Sequence, residues 1–108
     1  MSSYLLLGSR DPFASRDAEF VFELAVQLKS AGNEVTLFLL ENGVLAARAG
    51  ARVPGLDAVL SAGVSVKADD FSLSERGIDA RRVRSGIEKT SLEFVVDELA
   101  AGHKTIWN

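Results

Sequence analysis

Two short runs constrain this chain more than anything else in it. Tyr4-Leu5-Leu6-Leu7 and Val35-Thr36-Leu37-Phe38-Leu39-Leu40 are apolar at almost every position. A strand with one face in water alternates apolar and polar residues, so a run without that alternation belongs to a strand covered on both faces. Such strands sit in parallel sheets, where the crossover connections lay helices over each side. The segment between the two runs carries the helical pattern this requires: Ala18, Val21, Phe22, Ala25 and Leu28 recur at helical spacing and form one apolar stripe.

Taken in order, the chain repeats this alternation. Gly8-Ser9-Arg10-Asp11-Pro12 ends the first strand with turn residues, and a helix is expected from about Ser15 or slightly earlier, with Asp11 and Ser15 as rival caps. Ala31-Gly32-Asn33 supplies the glycine that a helix C-terminus prefers. After the second strand, Glu41-Asn42-Gly43 marks a turn and Val44 to Ala49 reads as a short helix. Pro54 breaks the chain, and Leu56, Val59 and Leu60 belong to a further helix ending at Gly63. Val64, Val66 and Ala68 form a third strand that stops at two adjacent carboxylates, Asp69 and Asp70, ahead of one or two helical turns ending at Gly77. Arg82 to Ile87 is the expected fourth strand. Leu92, Val95, Val96 and Leu99 line a last helix stopped at Gly102, and Lys104 to Trp107 closes the pattern as a strand. The expectation is a three-layer α/β/α fold with a parallel sheet of about five strands and right-handed crossovers.

Composition narrows the function. The chain has 108 residues, the length of one domain, and a formal charge of −3, which argues against nucleic acid as the main partner. No apolar run is long enough to span a bilayer, and Met-Ser-Ser-Tyr-Leu-Leu-Leu-Gly lacks the basic and apolar regions of a signal peptide, so a cytoplasmic protein is expected. Cysteine is absent, which removes disulfides, thiolate metal sites and cysteine nucleophiles together.

The stretch Val64 to Gly77 is the place to look for function, because ligands of open parallel sheets meet the protein just past the carboxyl ends of strands. Asp69 and Asp70 are candidates for an acid and base pair, or for holding a metal. Adjacent residues in extended chain point to opposite faces, however, so the plainer reading has one of them capping the following helix and the other in solvent. Gly8, Ser9 and Arg10 form a possible anion loop at a strand-to-helix turn, although no phosphate-binding glycine motif is present. His103 is the only histidine and has no second ligand near it in sequence, so neither a metal nor a cofactor is expected. Arg76, Arg81, Arg82 and Arg84 make a local basic cluster, with Glu75, Asp79 and Glu88 close enough in sequence to neutralise much of it. Trp107, Phe71 and Phe13 are large apolar groups near the ends of elements, able to anchor an interface or to complete the core.

Four features in order along the chain resemble the DsrE/DsrF/DsrH superfamily, also known through TusD, TusC and TusB. They are the first strand with its long helix ending in Ala31-Gly32-Asn33-Glu34-Val35; Leu39-Leu40-Glu41-Asn42-Gly43-Val44; Ala62-Gly63-Val64; and Arg76-Gly77 after a short helix. The resemblance implies one flavodoxin-like, DsrE-like domain over residues 1–108, in a family of sulfur relays. Catalytic members carry a cysteine just after the third strand, ahead of the Arg-Gly pair. Here Asp69 stands in that place between Ala68 and Asp70, which is similar to the DsrH/TusB-like branch, while the long first helix looks more like DsrE. What the resemblance implies is a non-catalytic subunit, with Lys67, Ala68, Asp69, Asp70, Arg76 and Gly77 as a binding or interaction site. Its partners would be further copies, as a dimer or trimer, or cysteine-bearing DsrE-like subunits. The alternative is a stand-alone small-anion binder or enzyme using Asp69, Asp70 and the nearby arginines. A phosphoacceptor domain would want a carboxylate pair after the first strand, where only Asp11 occurs.

Overall fold

The computed structural model describes residues 1–108. In chain order it contains β1 (Ser3–Gly8), α1 (Asp17–Ser30), β2 (Glu34–Leu39), a 3-10 helix (Glu41–Ala47), α2 (Pro54–Ser61), β3 (Ser65–Asp69), α3 (Asp70–Glu75), a 3-10 turn (Ala80–Arg82), β4 (Ile87–Thr90), α4 (Glu93–Ala100) and β5 (Lys104–Trp107). The five strands form one sheet in the order β4-β3-β2-β1-β5, and every neighbouring pair is parallel. This is the expected α/β architecture. No helix is long and apolar enough to cross a membrane.

The apolar runs are explained by their registers. Leu6 pairs with Leu37 and Leu37 with Val66, and these side chains, with Leu39 and Ala68, join Val21, Phe22 and Ala25 of α1 and Leu56 and Val59 of α2 in the larger core. The alternate residues Leu5, Leu7, Phe38 and Leu40 face the opposite side and pack under Val95 of α4. The Phe94 ring stacks on Phe38 there, with centroids 6.2 Å apart. Two helices therefore cover one face of the sheet, and α4 alone covers the middle of the other.

Several boundaries differ from expectation for local reasons. The fourth strand is Ile87–Thr90, not Arg82 to Ile87. The preceding arginines end a 3-10 turn, and Gly86 turns the chain at φ +93°. An edge strand needs only one inward apolar side chain, which is Ile87, and charged Glu88 and Lys89 suit an exposed edge. The helical segment after β2 begins at Glu41, ends at Ala47 and is a 3-10 helix. α1 starts at Asp17, later than either rival cap: the Asp11 carboxylate accepts from the Phe13 amide in a turn of its own, while the Ser15 hydroxyl accepts from the Asp17 amide. Pro54 occupies the first position of α2, where its missing N–H is harmless.

Candidate functional site

The carboxyl ends of β1, β2 and β3 lie side by side, and the site is built where β3 turns into α3. Asp69 is the N-cap of α3, with an extended backbone (φ −67°, ψ 124°) and a carboxylate turned back over the first turn. Its Oδ2 accepts from the Ser72 amide at 3.0 Å and from the Ser72 hydroxyl at 2.6 Å. That hydroxyl oxygen in turn accepts from the Glu41 amide at 2.8 Å, which ties α3 to the chain leaving β2. Asp69 and Ser72 are 3% and 4% exposed, the only buried polar side chains in the protein. The other carboxylate oxygen, Asp69 Oδ1, is buried and meets no donor.

Arg76 extends the network outward. Its Nε and Nη2 both donate to the Asn42 carbonyl oxygen Oδ1, at 3.1 and 3.0 Å, and its Nη1 donates to the Ser72 carbonyl at 3.1 Å. The planar guanidinium suits this fork, because three donors reach two acceptors without bending the side chain. Glu41, the first residue of the 3-10 helix, is the one non-glycine residue at positive φ, +51°. Strain of that kind persists where surrounding contacts hold it, as the Ser72 hydroxyl does here. Gly43 follows at closer quarters: a Cβ added there would stand 2.0 Å from the Gly8 carbonyl oxygen.

The remaining sequence candidates divide plainly. Ala68 is wholly in the core, and Asp70 is exposed on the first residue of α3. Lys67 is engaged elsewhere, with its Nζ 3.0 Å from Glu88 and over the Phe94 ring. Gly77 follows α3 at φ +67°, a left-handed conformation that glycine adopts without a Cβ penalty. In the Gly8-Ser9-Arg10 loop, the Ser9 amide and hydroxyl both donate to the Asn108 carbonyl at 2.9 Å, and Arg10 faces Asp17. Those donors are engaged within the fold. His103 lies against Glu98, and no three acidic or histidine side chains are grouped as metal ligands. Asn42 and Ser72 escaped the sequence reading as polar partners. The signal for Ser72 was present, since Asp-x-x-Ser ahead of an apolar residue has the spacing of a capping box.

A second feature opens beside this network. The loop after the 3-10 helix and the loop after α3 form a cleft of about 640 Å³ whose lining includes Arg48, Arg52, Arg76 and Arg82. Phe13 lines it too, with the Arg48 guanidinium 5.6 Å from its ring centroid.

The whole fold matches solved structures. The ychN protein of E. coli superposes with a TM-score of 0.89 over 100% of both chains at 20% identity. MTH1491 from Methanobacterium thermoautotrophicum, described as a protein of unknown function, gives 0.87 over 100% of both at 14% identity. BT1422 from Bacteroides thetaiotaomicron, likewise of unknown function, gives 0.81 over 99% of this chain and 95% of its own at 18% identity. The likeness is one of fold. No family model matches the chain, and no curated protein matches it in sequence.

Proposed function

We propose that this protein is a non-catalytic subunit or binding module of a sulfur-relay type assembly, similar to DsrEFH or TusBCD, working in the cytoplasm. The observation that carries the reading is Asp69. At the end of the third strand, where the relay family keeps its sulfur-carrying cysteine, this chain has a buried carboxylate committed to capping α3. Persulfide transfer needs a thiolate, and no residue of the chain can supply one. The carboxylate instead holds the β3–α3 turn in shape, a scaffolding task.

A surface for assembly supports the same reading. Leu92 at the N-cap of α4 and Val96 and Leu99 within it follow helical spacing and are half or more exposed, with Val96 at 62%, while Val95 points into the core. Trp107 pairs in register with Leu7 and so shares the α4 side of the sheet, 65% exposed. Apolar groups gathered on one face favour a second chain over water. The occupant in this proposal is another copy, giving a dimer or trimer, or a cysteine-bearing subunit of like fold.

Mass spectrometry after incubation with a persulfide donor tests the reading: the chain should gain no sulfur. Native mass spectrometry of the protein recovered from its own host should show it with copies of itself or with a cysteine-bearing partner. A sulfur adduct on the unmodified chain would defeat the proposal.

A further inference from the structure

The cleft beside the Asp69 network is basic, whereas the protein as a whole carries a formal charge of −3. Its lining has four arginines and no carboxylate. None of Arg48, Arg52, Arg76 and Arg82 belongs to an ion pair; those nearby are Arg81 with Asp79 and Arg84 with Asp57. Of the acids that sequence proximity would assign to the cluster, Asp79 pairs with Arg81 and Glu88 with Lys67, and Glu75 forms no ion pair with any arginine. The partners that Arg76 and Arg48 do have are neutral: Arg76 binds Asn42 and the Ser72 carbonyl, and the Arg48 Nε donates to the Leu45 carbonyl at 2.9 Å. Their charges are oriented but not compensated.

The two walls are also joined. Arg48 and Val83 form an isolated antiparallel bridge, in which the Ala49 amide donates to the Arg82 carbonyl at 2.6 Å and the Arg84 amide to the Ala47 carbonyl at 2.8 Å. Loops distant in sequence are therefore clamped backbone to backbone, so the backbone positions that carry the four lining arginines are fixed before any ligand arrives. Gly50 and Gly77 lie between the arginines, and a Cβ on either would meet nothing within 4 Å, which leaves room for a ligand to approach the backbone. The volume is that of a small-molecule site, within the usual range of roughly 300–1,000 Å³.

We infer that this cleft binds a small molecule bearing two linked phosphoryl groups. Guanidinium forks bind phosphoryl oxygens two at a time, and two linked groups carry about three negative charges at neutral pH against about two for a single phosphate, which comes closer to balancing the arginines. A free polyphosphate ion and a nucleoside diphosphate share this chemistry. The inference stands apart from the relay reading, because none of these arginines replaces a thiol.

Isothermal titration calorimetry on the full chain, at low and at physiological salt, separates the possibilities. Inorganic pyrophosphate or ADP should bind at least about tenfold more tightly than inorganic phosphate, and more weakly as salt rises. ADP binding tighter than pyrophosphate identifies a nucleotide, and equal affinity a free polyphosphate. The exposed side chains of Arg52 and Arg82 make no hydrogen bond within the protein, so the double variant R52A/R82A should fold normally and lose about a hundredfold in affinity, roughly tenfold for each charged contact removed. Arg81→Ala removes one charge outside the cleft and should change affinity less than twofold from wild type. Pyrophosphate and ADP binding no better than inorganic phosphate would overturn the inference. So would an equal loss per charge in Arg81→Ala, or a short single-stranded RNA binding more tightly than ADP.

Discussion

Gly43 and Gly77 are both required, for different physical reasons, and substitution separates them. At Gly43 the obstacle is contact: an added Cβ would overlap the Gly8 carbonyl, which already accepts from the Leu40 amide, so backbone must move. Gly43→Ala should cost about 3 kcal/mol, read as a shift in the denaturant midpoint. At Gly77 there is space but a left-handed φ, so Gly77→Val should cost about 2 kcal/mol through backbone strain. If Gly77→Val proved the more damaging, the close approach at Gly43 would not be what limits that position. Asp79 offers a test by pH. The Arg81 amide, then the Arg81 side chain, hold its carboxyl below the ordinary value of 3.8. A lowered carboxyl pKa stabilises the fold at pH above the unfolded value and loses that contribution as pH falls through the folded one. An NMR titration should place the Asp79 midpoint below 3.8, and Arg81→Gln should move it only part of the way back, since the backbone donor stays.

At the scale of the element, the β3–α3 turn concentrates what was and was not legible. Asp69 as a cap could be read from two carboxylates at a strand end, because in extended chain the pair cannot share one task. Its burial and its link through Ser72 to Glu41 could not, since they depend on how closely the end of β2 approaches α3 in space. Asp69→Ala should cost about 2 kcal/mol: it removes the cap and leaves the Ser72 amide without its acceptor. Asp69→Asn, which keeps an oxygen for that amide, should cost less than half as much. Asp69→Cys would place a thiol in a buried position, where desolvation raises its pKa, and Lys67 is already engaged by Glu88. The variant should therefore load sulfur slowly, over hours with a small persulfide donor, as mass spectrometry can follow. The fourth strand was misplaced for a related reason. A weak edge strand carries one inward apolar residue, and Ile87 does not announce in sequence on which side of it the pairing lies.

For the whole molecule, the apolar runs made the layered parallel sheet readable, because burial on both faces leaves no polar alternation to imitate. Only part of the arginine cleft was readable: Arg76 and Arg82 belong to the local basic cluster of the sequence, but Arg48 and Arg52 join them across a bridge with no sequence signature. The open face of α4 carries the quaternary prediction. Sedimentation at micromolar concentration should give a dimer or trimer, and Val96→Glu should convert it to monomer without changing the far-ultraviolet circular dichroism. A wild-type monomer would remove the assembly surface from the account.

The strand order has a consequence in time as well as in space. β1 pairs on one side with β2, close behind it in the chain, and on the other with β5, far behind it, and Ser9 meets Asn108 across 99 residues of chain. On a ribosome, the leucine-rich edge of β1 therefore waits for its second neighbour until synthesis has passed Trp107. An unpaired edge of that composition invites pairing with other chains, so nascent chains arrested before residue 104 should be bound by holding chaperones, and released chains that contain β5 should not.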